Sequence, residues 1–178
     1  LPSFRDVPSD AYYYDAVQWA VEQGITTGTS ATRFSPDEPC TRAQVVTFIW
    51  RALGLDELDS RSTDNPFRDV PSGAYYRDAV LWAAENGITT GTDANEFSPD
   101  EACTRAQVVT FLWRTDFPPK YYESDQVFRD VHVNDYYWFP VQWAVERNIT
   151  TGTDANVFSP NEACTRAQVV TFLYRDFA

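Results

Sequence analysis

The string Phe4-Arg5-Asp6-Val7 returns as Phe67-Arg68-Asp69-Val70 and as Phe128-Arg129-Asp130-Val131. A second string, C-T-R-A-Q-V-V-T-F, begins at Cys40, Cys103 and Cys164, so both strings repeat with periods of 63 and then 61 residues. In every copy the first Phe lies 37 residues before the Thr of T-R-A-Q, so the length variation falls in the connectors. Residues 86–114 and 147–175 agree at 24 of 29 positions, the mark of duplication within one chain. A period of this size predicts tandem units that bury their apolar faces against one another. The units are read as 1–54, 67–114 and 128–178, joined by polar, Pro-containing linkers at 55–66 and 115–127.

Each unit predicts two helices. The first covers about Tyr14–Gln23, Arg77–Asn86 and Phe139–Arg147. Its stripe in the first unit is Ala16, Val17, Ala20 and Val21. Pro140 occupies the Ala16 position in the third unit, which suits a first-turn position and is expected to limit how early that helix starts. Gly24, Gly87 and Asn148 follow these helices, and all three tolerate a left-handed backbone, so a C-terminal cap is expected there. The second helix opens at T-R-A-Q. Thr41 with Gln44, Thr104 with Gln107 and Thr165 with Gln168 form capping boxes, in which Thr takes the third amide and Gln reaches back. The helix is apolar around most of its circumference. Gln44, Thr47 and Arg51 leave only a narrow polar stripe. So apolar a helix belongs inside a bundle. The expected architecture is all-α: a pseudo-threefold trimer of repeats around a central three-helix bundle, monomeric, with grooves where neighbouring units meet.

Charge removes several classes of function. There are 14 Lys and Arg against 26 Asp and Glu, a net charge of −12. A chain this acidic lacks the basic face that unspecific nucleic-acid or anionic-membrane binding needs. It has no apolar run long enough for membrane insertion. The 43% hydrophobic content supports a packed interior. Residue 1 is not Met, as expected of a trimmed chain whose targeting segment is out of view. The single His132 has no motif around it, so no catalytic constellation is expected. Three Cys without C-x-x-C argue against a disulfide framework or a zinc knuckle. A thiolate metal site would require Cys40, Cys103 and Cys164 to converge on the axis. Asp93-Ala94-Asn95 and Asp154-Ala155-Asn156 lack the later ligands of a calcium loop. No metal and no cofactor are expected.

Arg42, Arg105 and Arg166 stand at the first position of their helices, where the helix dipole is already positive and a cation costs about 0.3–1 kcal/mol. Two partners would explain this. One is an external anion held by the guanidinium together with free amides of the helix end. The other is an internal acid among Asp37, Glu38, Asp100, Glu101 and Glu162, or Asp6, Asp69 and Asp130. Gly28, Gly91 and Gly152 sit in I-T-T-G-T loops and imply a positive φ or a close backbone approach. Trp19, Trp82 and Trp143 fall within the periodic first helix. Core packing is their simplest role, and they are also the candidates for stacking on a sugar ring, with one or two aromatics per unit expected to line a groove.

Taken together, F-R-D-V-P, Y-Y-x-x-A-V-x-W-A, G-I-T-T-G-T, F-S-P and C-T-R-A-Q resemble the S-layer homology domain in three tandem copies. That resemblance implies a three-pronged helical fold and a non-catalytic module that anchors bacterial surface proteins. The implied partner is secondary cell-wall polysaccharide, with a terminal pyruvylated N-acetylmannosamine bound between repeats. It implies secretion to the cell wall as part of a larger surface protein. The family's T-R-A-E arginine falls on Arg42, Arg105 and Arg166, and its loop glycines on Gly28, Gly91 and Gly152. Gln44, Gln107 and Gln168 stand where the family usually has Glu. The third unit departs at Asn148 and Trp138-Phe139-Pro140, so its groove is expected to differ. The rival expectations are a protein-interaction or lattice-assembly module and, without a motif to support it, a glycosidase.

Overall fold

The computed structural model describes residues 3–57, 63–122, 124–125 and 128–178. Parts of both expected linkers, 58–62 in one and 123 and 126–127 in the other, lie outside the described residues. The described residues contain six α-helices and no strand. They are α1 (Tyr14–Glu22), α2 (Arg42–Ala52), α3 (Arg77–Glu85), α4 (Arg105–Thr115), α5 (Trp138–Glu146) and α6 (Arg166–Phe177). A short 3-10 turn at Leu55–Glu57 follows α2. No described helix is long and apolar enough to cross a membrane.

The first helices α1, α3 and α5 stop where their sequence says they should. Gly24, Gly87 and Asn148 have φ of 69°, 70° and 58°. Behind each stands a doubled cap. Gly24 N donates to Val21 O, and Ile25 N donates to Ala20 O at 2.8 Å. The same pair of bonds recurs at Gly87 and Ile88 and at Asn148 and Ile149. Pro140 does not delay α5. That helix starts at Trp138, in register with Tyr14 and Arg77. The amides of a first turn have no intrahelical acceptor, so a proline there removes nothing.

All three capping boxes form. Thr41 Oγ1 accepts from Gln44 N, and Gln44 Oε1 accepts from Thr41 N. Thr104 with Gln107 and Thr165 with Gln168 do the same. The apolar girth of α2, α4 and α6 is buried, with Val45, Val46 and Ile49 fully enclosed. Thr47 lies inside as well, which costs little because its hydroxyl donates to Ala43 O at 2.7 Å.

The repeats close on one another. α1 packs on α6, α3 on α2, and α5 on α4, so each first helix covers the second helix of the repeat before it. α2 also touches α4 and α6. At the heads of these helices Cys40 N donates to Cys164 O, Cys103 N to Cys40 O, and Cys164 N to Cys103 O, a ring of three backbone bonds of 2.8–2.9 Å. The thiols themselves are buried, and burial pushes Cys40 and Cys164 up to about 12. Among the described residues no group of His, Cys, Asp or Glu is placed to hold a metal ion.

F-R-D-V organises the loop of its own repeat. Asp6 accepts from Phe34 N and Ser35 N at 2.9 Å, and Asp69 and Asp130 repeat this on Phe97 and Ser98 and on Phe158 and Ser159. Phe4 packs against Phe34, with ring centroids 6.0 Å apart. Gly28 lies beneath the Phe4 ring at φ 88°, and a Cβ there would sit 2.5 Å from Arg33 O and 2.6 Å from Phe4. Both readings of this glycine, positive φ and close approach, therefore hold, and the approaching group belongs to the same repeat.

Candidate functional site

The amino end of each inner helix has no amide left for a ligand. Arg42 N donates to Glu101 O, and Ala43 N donates to Pro99 O. Arg105 and Ala106 donate to Glu162 O and Pro160 O, and Arg166 and Ala167 donate to Glu38 O and Pro36 O. With the capping box, these bonds satisfy the first amides of all three helices. The expected anion cradle of free helix-end amides is therefore absent. The loop of the next repeat in the cycle occupies that place with its carbonyls.

The three arginines make the same cross-repeat contact. Arg42 Nε donates to Phe97 O, Arg105 Nε to Phe158 O, and Arg166 Nε to Phe34 O, each at 2.9 Å. Their guanidinium carbons stand 4.8–4.9 Å from the Phe97, Phe158 and Phe34 ring centroids and 5.4–5.7 Å from those of Phe111, Phe172 and Phe48. A carbonyl dipole and two π faces offset the unfavourable pole of the helix. No described carboxylate lies within ion-pair distance of any of the three. The internal-acid reading is thus replaced by a main-chain carbonyl. Glu101, Glu162 and Glu38 act only through the longer-range field, against burial, which lowers each guanidinium pKa.

The arginines are only 3–4% exposed, and Arg105 and Arg42 line clefts. No buried side-chain nitrogen or oxygen among the described residues lacks a partner. The terminal guanidinium nitrogens, which no described acceptor takes, therefore open to solvent. Arg105 lines a cleft of about 370 Å³ with Thr150–Thr153, Gln168, Thr171, Phe172, Arg175 and Tyr12. Arg42 lines one of about 210 Å³ with Thr89, Thr90, Gly91, Gln107, Thr110, Phe111, Arg114 and Tyr136. All three repeats contribute to each. By the repeat periods, Thr26, Gly28, Gln44, Thr47, Phe48 and Arg51, with Arg166 and Tyr75, are the equivalents of these lining residues.

Each groove has a second guanidinium. Arg175 and Arg114 end the polar stripes of α6 and α4 and donate through Nη1 to Ile149 O and Ile88 O at 2.9 Å. Arg51 does so to Ile25 O at 3.0 Å. The stripe Gln44, Thr47, Arg51 was visible in the sequence, and it is the groove floor. The groove aromatics are Tyr12 and Tyr136, exposed at 65% and 61% and braced edge-on by Tyr13 and Tyr137.

The tryptophans lie elsewhere. Trp143 is fully buried and donates to Asp116 Oδ2 at 3.2 Å, so the expectation that it stacks on a sugar is corrected. Trp19 is half-buried against Tyr174, with centroids 5.7 Å apart. Trp82 lines an adjoining cleft of about 320 Å³ with Leu53, Asn86, Ile88, Thr115 and Phe117, which shares Arg114 with the Arg42 groove. Their helices face the second helix of the preceding repeat, which draws them away from the arginine grooves. Gly91 and Gly152 do line the grooves. His132 is exposed, and among the described residues its side chain and its amide both meet the Asp135 carboxylate.

The S-layer homology domain model matches residues 3–46, 66–109 and 127–170. The chain belongs to the S-layer homology family. Its three matches coincide with the three copies of F-R-D-V through T-R-A-Q. Among curated relatives, an endoglucanase of Bacillus sp. (strain KSM-635) is 39% identical over 62% of this chain and 11% of its own length. A cell surface protein of Thermoanaerobacter kivui is 32% identical over 72% of this chain and 18% of its own. An S-layer protein of Bacillus thuringiensis subsp. finitimus is 26% identical over 96% of this chain and 21% of its own. The S-layer homology chain thus spans about a tenth to a fifth of the length of these relatives.

Proposed function

We propose that this S-layer homology triplet is a non-catalytic module that anchors a larger protein to the bacterial cell surface by binding an anionic cell-wall glycan between its repeats. The observation that carries this reading is the pair of guanidinium groups in each groove, one of them almost wholly buried and free of any carboxylate partner, in a chain of net charge −12. Two guanidiniums facing one cleft suit a carboxylate, which takes them as two-pronged donors. The Thr hydroxyls of the I-T-T-G-T loop supply neutral hydrogen bonds, and Tyr12 or Tyr136 supplies a ring face. The repeats are taken as 1–54, 67–114 and 128–178 around a pseudo-threefold axis, with 55–66 and 115–127 as linkers. The family resemblance points to pyruvylated N-acetylmannosamine in secondary cell-wall polysaccharide. The cleft of about 370 Å³ beside Arg105 is large enough for a ligand of that class.

The cyclic backbone contacts and the S-layer and cell-surface names among the relatives support the reading. The test is a calorimetric titration with wall polysaccharide before and after removal of its pyruvate. Tight binding only of the pyruvylated polymer is expected, and equal affinity for both excludes the carboxylate as the recognised group. A second reading, assembly through protein contacts, draws on the exposed aromatics Tyr121 and Phe139, stacked edge-on at 4.9 Å. Concentration-dependent self-association in sedimentation experiments without glycan is its expected sign.

A further inference from the structure

The second repeat carries an open cleft at a place that the third repeat fills. Trp82, Asn86, Thr115 and Phe117 line it, together with Leu53 of the first repeat. The 61-residue period sets Trp82, Asn86 and Thr115 against Trp143, Arg147 and Asp176. In the third repeat Arg147 Nη2 donates to Asp176 Oδ1 at 3.0 Å, and the Arg147 guanidinium stands 5.6 Å from the Trp143 ring. Trp143 is fully buried there, whereas Trp82 is half-buried. Asn86 and Thr115 can form no such ion pair, and a cleft of about 320 Å³ stands in its place.

The polar groups of this cleft are disposed to meet hydroxyls. Asn86 Nδ2 donates to Trp82 O at 2.9 Å, and Oδ1 has no described donor. Thr115 Oγ1 donates to Leu112 O at 2.6 Å, so only its lone pairs remain. Both therefore meet a ligand as neutral acceptors, which suits a sugar hydroxyl and not a carboxylate. The cleft is also continuous with the groove of Arg42. Arg114 lines both, and Ile88 and Thr89, neighbours in the chain, line one each.

We propose that this cleft is a second saccharide subsite, which takes the neutral sugar residue adjacent to the acidic terminal residue of the same glycan chain. The terminal residue lies in the Arg42 groove, and the chain passes Arg114 to set its next ring against Trp82. A cleft of about 320 Å³ suits one such ring. This rests on the glycan reading above and deepens it, from a one-residue epitope to a two-residue epitope in the second repeat.

The test compares two probes on the intact triplet. One is the methyl glycoside of pyruvylated N-acetylmannosamine, and the other is a wall-polysaccharide fragment that ends in the same residue and carries further sugars. Calorimetry gives the affinities, and nitrogen–proton correlation spectra follow the Trp82 indole, assigned through Trp82→Phe. Both probes should bind. The fragment alone should gain a class of sites about tenfold tighter, and it alone should shift the Trp82 indole. The double variant Asn86→Arg with Thr115→Asp installs the third repeat's ion pair in the cleft without changing net charge. It should keep its affinity for the methyl glycoside and lose the advantage of the fragment. Equal affinity for both probes, a Trp82 resonance that the fragment leaves unmoved, or an advantage that survives in the double variant overturns the subsite and leaves the glycan reading standing. Failure of the methyl glycoside to bind overturns both. If the double variant melts early, the wild-type Trp82 resonance decides: a shift with the fragment alone supports the subsite, and no shift or the same shift with both probes overturns it.

Discussion

The two ends of the inner helices hold their arginines by opposite means, and each described cleft pairs the amino-end arginine of one helix with the carboxyl-end arginine of the next. At the carboxyl end Arg51, Arg114 and Arg175 lie where the helix dipole welcomes a cation, and each reaches a carbonyl of its own repeat. At the amino end Arg42, Arg105 and Arg166 lie at the wrong pole, and each reaches a carbonyl of another repeat. The first kind is locally favourable and adjustable. The second is tolerable only when the repeats are assembled, because its carbonyl and ring partners arrive with the neighbour. A guanidinium built in this way joins two repeats through Nε while no described acceptor takes its terminal nitrogens.

The largest expected effect comes from breaking the cross-repeat contact. Arg105→Ala leaves the buried carbonyl of Phe158 without its donor and strips two ring contacts, for a loss of about 2–4 kcal/mol in urea unfolding. It should also abolish binding in that groove. Arg105→Lys retains charge but lacks the planar fork, and should recover only part of both losses. Arg175→Ala is the matched control, the carboxyl-end arginine of α6 in the same cleft, and a stability loss as large as that of Arg105→Ala would erase the distinction.

Asp6 sharpens the comparison from the acceptor side, because it clamps the Phe34 and Ser35 amides beside the carbonyl that Arg166 holds. Burial works to raise its pKa, but the two amide bonds prevail and hold it below the ordinary carboxylate value. A carboxyl lowered in the folded state stabilises above its unfolded pKa of about 4, and this contribution is lost as pH falls through the folded value. Asp6→Asn should therefore be less stable than wild type at pH 7, and the gap should shrink in unfolding titrations below about pH 4. Thr104→Ala opens one capping box and should cost about 1 kcal/mol. Arg175→Ala should have the smallest effect on stability, about 0.5 kcal/mol, at the low end for one hydrogen bond, while weakening glycan binding by calorimetry.

Local structure was legible because its causes are local. The capping boxes need residues three apart, and the left-handed caps need a glycine or asparagine after the helix. The repeats announced themselves three times over. Pro140 was legible as a first-turn residue, and only the start of α5 at Trp138, one residue before the expected Phe139, was missed. The arginine partner was not legible. Phe97 O, Phe158 O and Phe34 O are backbone atoms 55, 53 and 132 residues away, and a carbonyl carries no side-chain signature. Trp143 and Tyr12 were likewise inseparable by composition. Periodicity placed Trp143 on a helix, but the packing of α5 on α4 buried it, and Tyr12 became the groove aromatic.

The amino-acid order alone settled that there are three homologous helical units, where their helices begin and end, and that an arginine heads each inner helix. These follow from short-range hydrogen bonding and from repetition. Tertiary structure alone decided that the helix-end amides are closed by a neighbouring loop, that each arginine answers to a carbonyl rather than an acid, and that every described groove draws on all three repeats. Those outcomes depend on how separate units meet, and the acceptors that matter there are main-chain atoms common to every residue.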